Sequence, residues 1–106
     1  MNPKISELLK ELKKALEGVY GENLRGVYLY GSYARGHEDS ESDRDVAIVL
    51  RDFADYWEEI KRTSQIISDL SIKYNASISP VWVREADWSE GESFFSQTIQ
   101  KECIPL

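Results

Sequence analysis

The chain has 106 residues, of which 42% are hydrophobic and 30% are charged, a composition typical of one globular domain spanning residues 1–106. A formal net charge of −6 argues against a broad basic surface for nucleic acid or for an anionic membrane. No apolar run approaches the roughly 20 residues of a membrane span, and the N-terminal segment is too charged for a signal peptide. Its one cysteine, Cys103, cannot form an internal disulfide. We therefore expect a cytoplasmic protein that binds neither membrane nor nucleic acid directly.

The N-terminal part of the chain predicts a helix. Asn2 can cap this helix and Pro3 suits its first turn. Apolar residues then recur at helical spacing from Ile5 to Val19. Either Gly18 or Gly21 can end the helix.

Four later segments predict strands. GVYLYG alternates in polarity, with Tyr28 and Tyr30 on one face, and DVAIVL is nearly all apolar, as expected of a strand covered on both faces. ASISPVWV predicts a third strand, in which Pro80 favours an edge position or a bulge. Ile104–Leu106 can add a last short strand.

Two more helices complete the predicted order. Phe53 to Tyr74 reads as a long helix with apolar residues at three- and four-residue steps, and a shorter helix is expected around Phe94 to Lys101. Helices and strands in this order predict an α/β (α+β) protein, in which helices flank a small mixed sheet.

The loop after the first predicted strand offers a phosphate site. Gly31 allows close approach of the backbone to a ligand, and Ser32 can cap a short helix that begins at Tyr33 or Ala34. Backbone N–H groups at such a helix start can hold a phosphate, and Arg35, one turn on, can contact a phosphate oxygen. A Gly-Ser pair alone is equally compatible with a simple turn.

Two aspartates begin the second predicted strand. Asp43 and Asp45 share a face because they are two residues apart on a strand, whereas Arg44 is predicted to point to the opposite face. Their like charges repel unless they are solvated or bridged by a cation, and carboxylate oxygens suit Mg²⁺. A solvated loop also accounts for the pair when it is considered alone.

The spacing between the two motifs favours the functional interpretation. Gly-Ser, ten residues and Asp-x-Asp together arise by chance in about one chain in a thousand of this length. A phosphate-binding loop opposite a pair of metal-binding aspartates suits in-line attack on a nucleoside triphosphate.

The run GSYARGHEDSESDRDVAIVL resembles the GSx10DxD signature of DNA polymerase β-like nucleotidyltransferases. It is most similar to the minimal nucleotidyltransferases (MNT), whose run is G-S-x-A-R-G, five residues, then S-D-x-D. The resemblance implies the polymerase β-like fold, with Mg²⁺ as cofactor and ATP as substrate. It also implies six site residues, which are the nucleotide-binding Gly31, Ser32, Arg35 and Ser42 and the catalytic metal ligands Asp43 and Asp45.

The resemblance further implies a protein partner. Stand-alone MNT proteins are commonly antitoxins that transfer AMP from ATP to a tyrosine of a HEPN-domain ribonuclease toxin. Two alternatives remain open, namely a non-catalytic antitoxin that blocks the toxin by contact and a nucleotidyltransferase for a small molecule. The second is less favoured because 106 residues leave no room for a separate acceptor domain.

The chain departs from the family pattern in one respect. Many members carry a third carboxylate on the strand after the long helix, where it helps to activate the incoming hydroxyl. The sequence favours Ser77 for this position, with Ser79 next on the same face. A serine cannot act as a carboxylate base. The candidates for a replacement are Asp69, Glu38, Asp39 or a group from the partner.

Overall fold

The computed structural model describes residues 3–30, 44–90 and 103–106. In chain order they form α1 (Pro3–Tyr20), β1 (Leu24–Tyr30), β2 (Arg44–Leu50), α2 (Tyr56–Tyr74), β3 (Ile78–Arg84), α3 (Glu85–Glu90) and β4 (Ile104–Pro105). The four strands form one mixed sheet flanked by helices, which confirms the predicted α/β class. The proposed cap Asn2 and the predicted helix from Phe94 to Lys101 lie outside the described residues.

Helix α1 ends where a glycine adopts a backbone conformation that other residues avoid. Gly21 has φ +55° and opens a short 3-10 turn, Gly21–Asn23, directly after Tyr20. This confirms Gly21 as the end of the helix. The alternative, Gly18, is wrong because this residue lies inside α1.

The sheet has the strand order β3-β2-β1-β4. β1 pairs antiparallel with β2 on one side and with β4 on the other, whereas β2 and β3 are parallel. β3 is therefore an edge strand of the described sheet, as Pro80 predicts. The pairing of β4 also confirms a short strand at Ile104.

Helix α2 begins three residues later than the sequence suggests. Asp55 has an extended backbone, and its side chain accepts a hydrogen bond from the Trp57 N–H at 2.9 Å, which fixes the helix start. The helix ends at Tyr74 and is followed by the C-cap Asn75, whose φ of 49° is left-handed. The apolar spacing of the sequence includes Trp57 in the buried stripe of this helix, and this prediction is wrong because Trp57 is 60% exposed. The buried face of α2 instead includes Glu59 and Thr63.

The main core lies between the sheet and the two long helices. Five residues of α1 are at most 2% exposed, namely Ile5, Leu8, Leu9, Leu12 and Leu16. They form one cluster with alternate residues of the central strands, namely Val27, Leu29, Val46, Ile48 and Leu50. Each such apolar side chain contributes about 1.5–3 kcal/mol by leaving water. Helices α1 and α2 therefore cover one face of the sheet, and the functional candidates on β2 occupy the other.

The second face of β2 is covered as well. Ala47 and Val49 alternate with the core residues and are 0% and 2% exposed, which confirms the prediction that this strand is buried on both faces. Within the part of the chain that the structure describes, no helix is long and apolar enough to cross a membrane.

Candidate active site

Three side chains form a row across the central strands. Asp45 of β2 lies opposite Tyr30 of the antiparallel β1 and opposite Ser79 of the parallel β3. Residues directly opposite one another share a face of the sheet, and neighbouring strands are about 4.8 Å apart. All three residues are half-buried. The row places a carboxylate between two hydroxyl-bearing side chains on the face away from α1 and α2.

The predicted phosphate loop joins the sheet at this row. Gly31 follows Tyr30 directly in the chain, and Asp43 directly precedes Arg44, the first residue of β2. Both ends of the loop therefore attach beside Asp45. The predicted site residues Gly31, Ser32, Arg35, Ser42 and Asp43 themselves lie outside the described residues, so Asp45 is the predicted site residue whose position the structure gives.

Arg44 lies on the other side of the strand from Asp45. It alternates with Asp45 along β2 and shares a face with the core residue Val46. Its side chain is 4% exposed, and its backbone N–H donates to the carbonyl of Ser77 at 3.0 Å. The prediction that Arg44 points away from the site is confirmed.

Tyr30 provides a neutral hydroxyl group beside the carboxylate. Burial raises the pKa of the Tyr30 phenol, and the negative charge of Asp45 raises it further. The phenol therefore stays protonated at neutral pH. Strand alternation alone predicts that Tyr30 and Tyr28 share a face, but the pairing with Asp45 becomes visible only in the assembled sheet.

The register identifies the residue that lies beside Asp45 on β3. The sequence favours Ser77, but Arg44 pairs with Ile78, so Ser79 is the residue opposite Asp45. Ser77 precedes the strand and is exposed. Both candidates are serines, so the departure from the three-carboxylate pattern remains.

The structure also excludes Asp69 as a replacement for that carboxylate. Asp69 is exposed on α2, where its carboxylate accepts a hydrogen bond from Gln65 at 2.7 Å. The next residue, Leu70, packs into the core on the opposite face of the sheet from Asp45. Glu38 and Asp39, the other two candidates on this chain, lie outside the described residues.

An aromatic pair lies further along the same face. Tyr28 is opposite Ala47, and its ring stacks on Trp88 of α3 with centroids 4.7 Å apart and an interplanar angle of 25°. Both α3 and this contact are missed by sequence reasoning. One sequence signal could have indicated this contact. Tyr28 and Tyr30 lie on the same strand face, and their rings need an aromatic or apolar residue to pack against them.

The described residues do not form a complete metal site by themselves. Nowhere in residues 3–30, 44–90 and 103–106 do three His, Cys, Asp or Glu side chains gather closely enough to hold a metal ion. The carboxylate of Asp45 would supply one hard oxygen ligand to a metal ion at this position. This fits Mg²⁺, which commonly uses one or two carboxylates and completes its shell with water and substrate phosphates.

Comparison with known proteins identifies the class. The chain matches the family model described as Polymerase beta, Nucleotidyltransferase over residues 6–101. Over 77 residues it is 40% identical to MJ0141 of Methanocaldococcus jannaschii, named as a candidate protein adenylyltransferase, and the match covers 73% of this chain and 77% of that protein. The chain therefore belongs to the polymerase beta nucleotidyltransferase family and is an enzyme of that class.

Solved structures show the same fold. A chain from a toxin–antitoxin crystal structure with AMP-PNP has a TM-score of 0.58 and 22% identity, and the match covers 96% of this chain and 68% of that one. A second, from the tri-AMPylated Shewanella oneidensis HEPN toxin in complex with MNT antitoxin, has a TM-score of 0.52 and 17% identity, covering 92% and 70%. The motif-based resemblance to minimal nucleotidyltransferases is confirmed.

Proposed function

We propose that this chain is a Mg²⁺-dependent protein adenylyltransferase. It transfers AMP from ATP to a tyrosine of a HEPN ribonuclease toxin and thereby acts as the antitoxin. The observation that carries the proposal is the position of Asp45, which completes the GSx10DxD motif and lies in the centre of an accessible row on the sheet. The toxin–antitoxin complexes with the same fold support the choice of partner and nucleotide.

The proposed roles follow the motif. Gly31 and Ser32 hold the triphosphate, Arg35 and Ser42 assist them at the nucleotide, and the two aspartates of the motif, Asp43 and Asp45, bind Mg²⁺. When bound, the metal ion neutralises phosphate charge and orients the α-phosphate. The half-buried position of Asp45 favours such binding, because its carboxylate is partly shielded from bulk water.

The sheet suggests which side each reactant occupies. The phosphate loop leaves from β1 on one side of Asp45, whereas Ser79 of β3 flanks it on the other. An in-line reaction needs the leaving group and the attacking oxygen on opposite sides of the phosphorus. The acceptor tyrosine therefore enters on the side of Ser79, its oxygen bonds to the α-phosphorus, and pyrophosphate leaves on the side of the loop.

The proton of the acceptor hydroxyl requires a base from elsewhere. Ser79 occupies the place beside Asp45 and is not a carboxylate. Glu38, Asp39 or a group of the partner takes this proton. The proposed location is the cytoplasm, where ATP and a ribonuclease target are present, and no direct contact with nucleic acid or membrane is proposed.

Intact mass spectrometry of the cognate HEPN protein tests this function. After incubation with the chain, ATP and Mg²⁺, the toxin should gain one or more AMP-sized additions. Asp45→Asn should abolish them, because the variant loses a charged metal ligand. Asp69→Asn is the matched control, since the same chemical change on the opposite face of the sheet should leave transfer intact. Full transfer by Asp45→Asn would contradict the assignment of the site.

One observation favours a second candidate function. The absence of a carboxylate at Ser79 is compatible with an antitoxin that silences the toxin by contact alone. In that case the chain and the toxin form a stable complex, ribonuclease activity is lost, and no mass addition appears with or without ATP.

A further inference from the structure

The solvent side of helix α2 carries the two most exposed large hydrophobic residues in the described part of the chain. Trp57 is 60% exposed and Ile72 is 77% exposed, whereas Tyr56, the next in rank, is 41% exposed. The solvent side of a surface helix is ordinarily polar, and this one is apolar towards both ends. It points away from the core, so it lies on the opposite side of the sheet from Asp45.

Trp57 and Ile72 belong to one face of the helix. They are fifteen residues apart, which corresponds to about 22 Å along the helix axis and about 60° around it. Lys61, Ser64 and Ser68 lie between them in the same sector of about 80°, and all three are exposed. These five residues are called the outer face of α2.

The outer face is self-complementary about its centre. The midpoint between Trp57 and Ile72 falls between Ser64 and Gln65. A two-fold axis through this midpoint runs two copies of α2 antiparallel, and it places Trp57 of each copy beside Ile72 of the other. The central serine side chain is small, so the two helices can approach to the ordinary packing distance of about 8–10 Å.

The charges on α2 favour the antiparallel orientation. About the same midpoint, Lys61 of one copy lies within one residue of the level of Asp69 of the other, so that two pairs of opposite charges meet. Both side chains are exposed, and their contacts with Glu58 at 3.5 Å and Gln65 at 2.7 Å lie on the same helix. A parallel pair would instead bring the two Lys61 ammonium groups together, and like charges repel.

We propose that the outer face of α2 binds a second copy of this chain in a two-fold symmetric, antiparallel dimer. A single pair of helices buries less than the roughly 1,200 Å² at the lower limit of stable interfaces, so the dissociation constant is expected in the micromolar range or above. The dimer leaves the candidate active site accessible, because Asp45 lies on the other side of the sheet. The inference does not depend on the proposed function.

Sedimentation equilibrium of the full chain tests the dimer. Between about 1 μM and about 1 mM, the average mass should rise from that of one chain towards that of two. Trp57→Ala and Ile72→Ser should each raise the dissociation constant about tenfold or more, because a symmetric dimer loses each contact twice. Val19→Ser is the matched control. Val19 is a 37% exposed apolar residue near the end of α1, and its substitution should leave the dissociation constant unchanged.

Charge reversal tests the orientation without removing an apolar contact. Lys61→Glu and Asp69→Lys should each weaken the dimer about threefold or more, because each places like charges opposite one another in both halves of the interface. The double variant restores opposite charges and should recover the affinity. Asp69→Lys is the cleaner single variant, since Nζ of Lys61 also lies 5.9 Å from the centroid of the Trp57 ring.

Three results would overturn the proposal. These are a chain that stays monomeric up to about 1 mM, a dimer that Trp57→Ala and Ile72→Ser leave unchanged, and a double charge variant that does not recover the affinity. If the chain is monomeric but binds the HEPN protein, and Trp57→Ala abolishes that binding, the outer face belongs to that partner instead. Should Trp57→Ala not fold, Ile72→Ser and the charge variants decide.

Discussion

At the scale of single residues, the site depends on which side chains the sheet places around Asp45. Tyr30 and Ser79 flank it on the two neighbouring strands. Because the pKa of Tyr30 is raised, its hydroxyl group stays neutral. Asp45 therefore carries the negative charge of the row formed by Tyr30, Asp45 and Ser79. A carboxylate in such a position can attract a cation, and this is the physical basis of the proposed Mg²⁺ site.

The register yields a prediction that separates the two serines. We expect Ser79→Asp to accelerate AMP transfer about tenfold or more, because it places a carboxylate beside Asp45, where it can accept the proton of the acceptor hydroxyl. Single-turnover rates at saturating ATP and Mg²⁺ measure the effect. Ser77→Asp is the matched control, and it should give no comparable gain. Equal acceleration by both variants would contradict the assignment of position 79.

At the scale of elements, helix α2 shows how capping decides a boundary. The apolar pattern predicts a start at Phe53, yet Asp55 caps the helix and Phe53 instead contacts Arg84, whose guanidinium lies 4.2 Å from the ring centroid. The same guanidinium donates to the Phe53 carbonyl at 2.7 Å. Phe53 is therefore held in the segment that connects β2 to α2, where its backbone carbonyl is bonded to β3.

The cap gives a testable stability difference. Asp55→Ala should lower the free energy of unfolding by about 1 kcal/mol, since the Trp57 N–H loses its side-chain acceptor at the helix start. Urea denaturation at pH 7 measures this change. Asp55→Asn, which keeps an acceptor oxygen, should retain most of the stability. A loss of the same size in both variants would mean that charge, rather than capping, stabilises the helix.

Helix α3 is the element that the sequence does not predict. It has six residues, and the polar letters EADWSE show no apolar periodicity. The contacts that accompany it are tertiary, namely the stack of Trp88 on Tyr28 and an ion pair between Arg25 and Glu85 at 3.8 Å. Both partner residues, Tyr28 and Arg25, are on β1, more than 50 residues earlier in the chain, so no local sequence pattern can predict these contacts.

At the scale of the whole molecule, a partly buried hydrogen-bond network ties three elements together. The Tyr20 hydroxyl at the end of α1 donates to Oε1 of Glu59 in α2 at 2.9 Å, and Nε1 of Trp82 in β3 donates to the Tyr20 oxygen at 3.2 Å. Glu59 is 5% exposed, and it also accepts from Nε of Arg62 at 3.2 Å. A buried carboxylate needs such partners, so the network fixes the relative position of both long helices and the edge strand.

This network makes stability depend on alkaline pH. Burial, followed by the hydrogen bond to Glu59, raises the pKa of Tyr20 above its unfolded value of about 10. A raised folded pKa contributes stability that is fully present below pH 10 and is lost as the pH rises beyond it. We expect Tyr20→Phe to be less stable than the unsubstituted chain by about 1 kcal/mol at pH 7. Above pH 10, the difference in free energy of unfolding between Tyr20→Phe and the unsubstituted chain should become smaller.

Urea denaturation at pH 7 and at pH 10.5 measures this narrowing. Tyr56→Phe is the matched control, because Tyr56 contacts Trp82 and Phe53 through its ring and is 41% exposed. This control should stay close to the unsubstituted chain at both pH values. A stability difference between Tyr20→Phe and the unsubstituted chain that stays constant with pH would mean that Tyr20 ionises alike in the folded and unfolded states.

That the 106 residues form one domain stays a prediction.

The sequence by itself determined the features that depend on local periodicity and on turn chemistry. Strand alternation predicted that Arg44 and Asp45 point to opposite faces, Pro80 predicted an edge strand, and helical spacing predicted α1 together with its buried face. The motif spacing predicted the family, because its fixed positions lie within one short segment of chain. These features need no knowledge of distant residues.

Only the tertiary structure decided which distant residues meet. The parallel register placed Ser79 rather than Ser77 beside Asp45, and the packing of α2 removed Asp69 from that face. The stack on Tyr28 placed Trp88 against a strand 60 residues earlier in the chain. Periodicity specifies the face on which a side chain lies. Register and neighbours are set by how whole elements pack, because a shift along a neighbouring strand changes every partner at once.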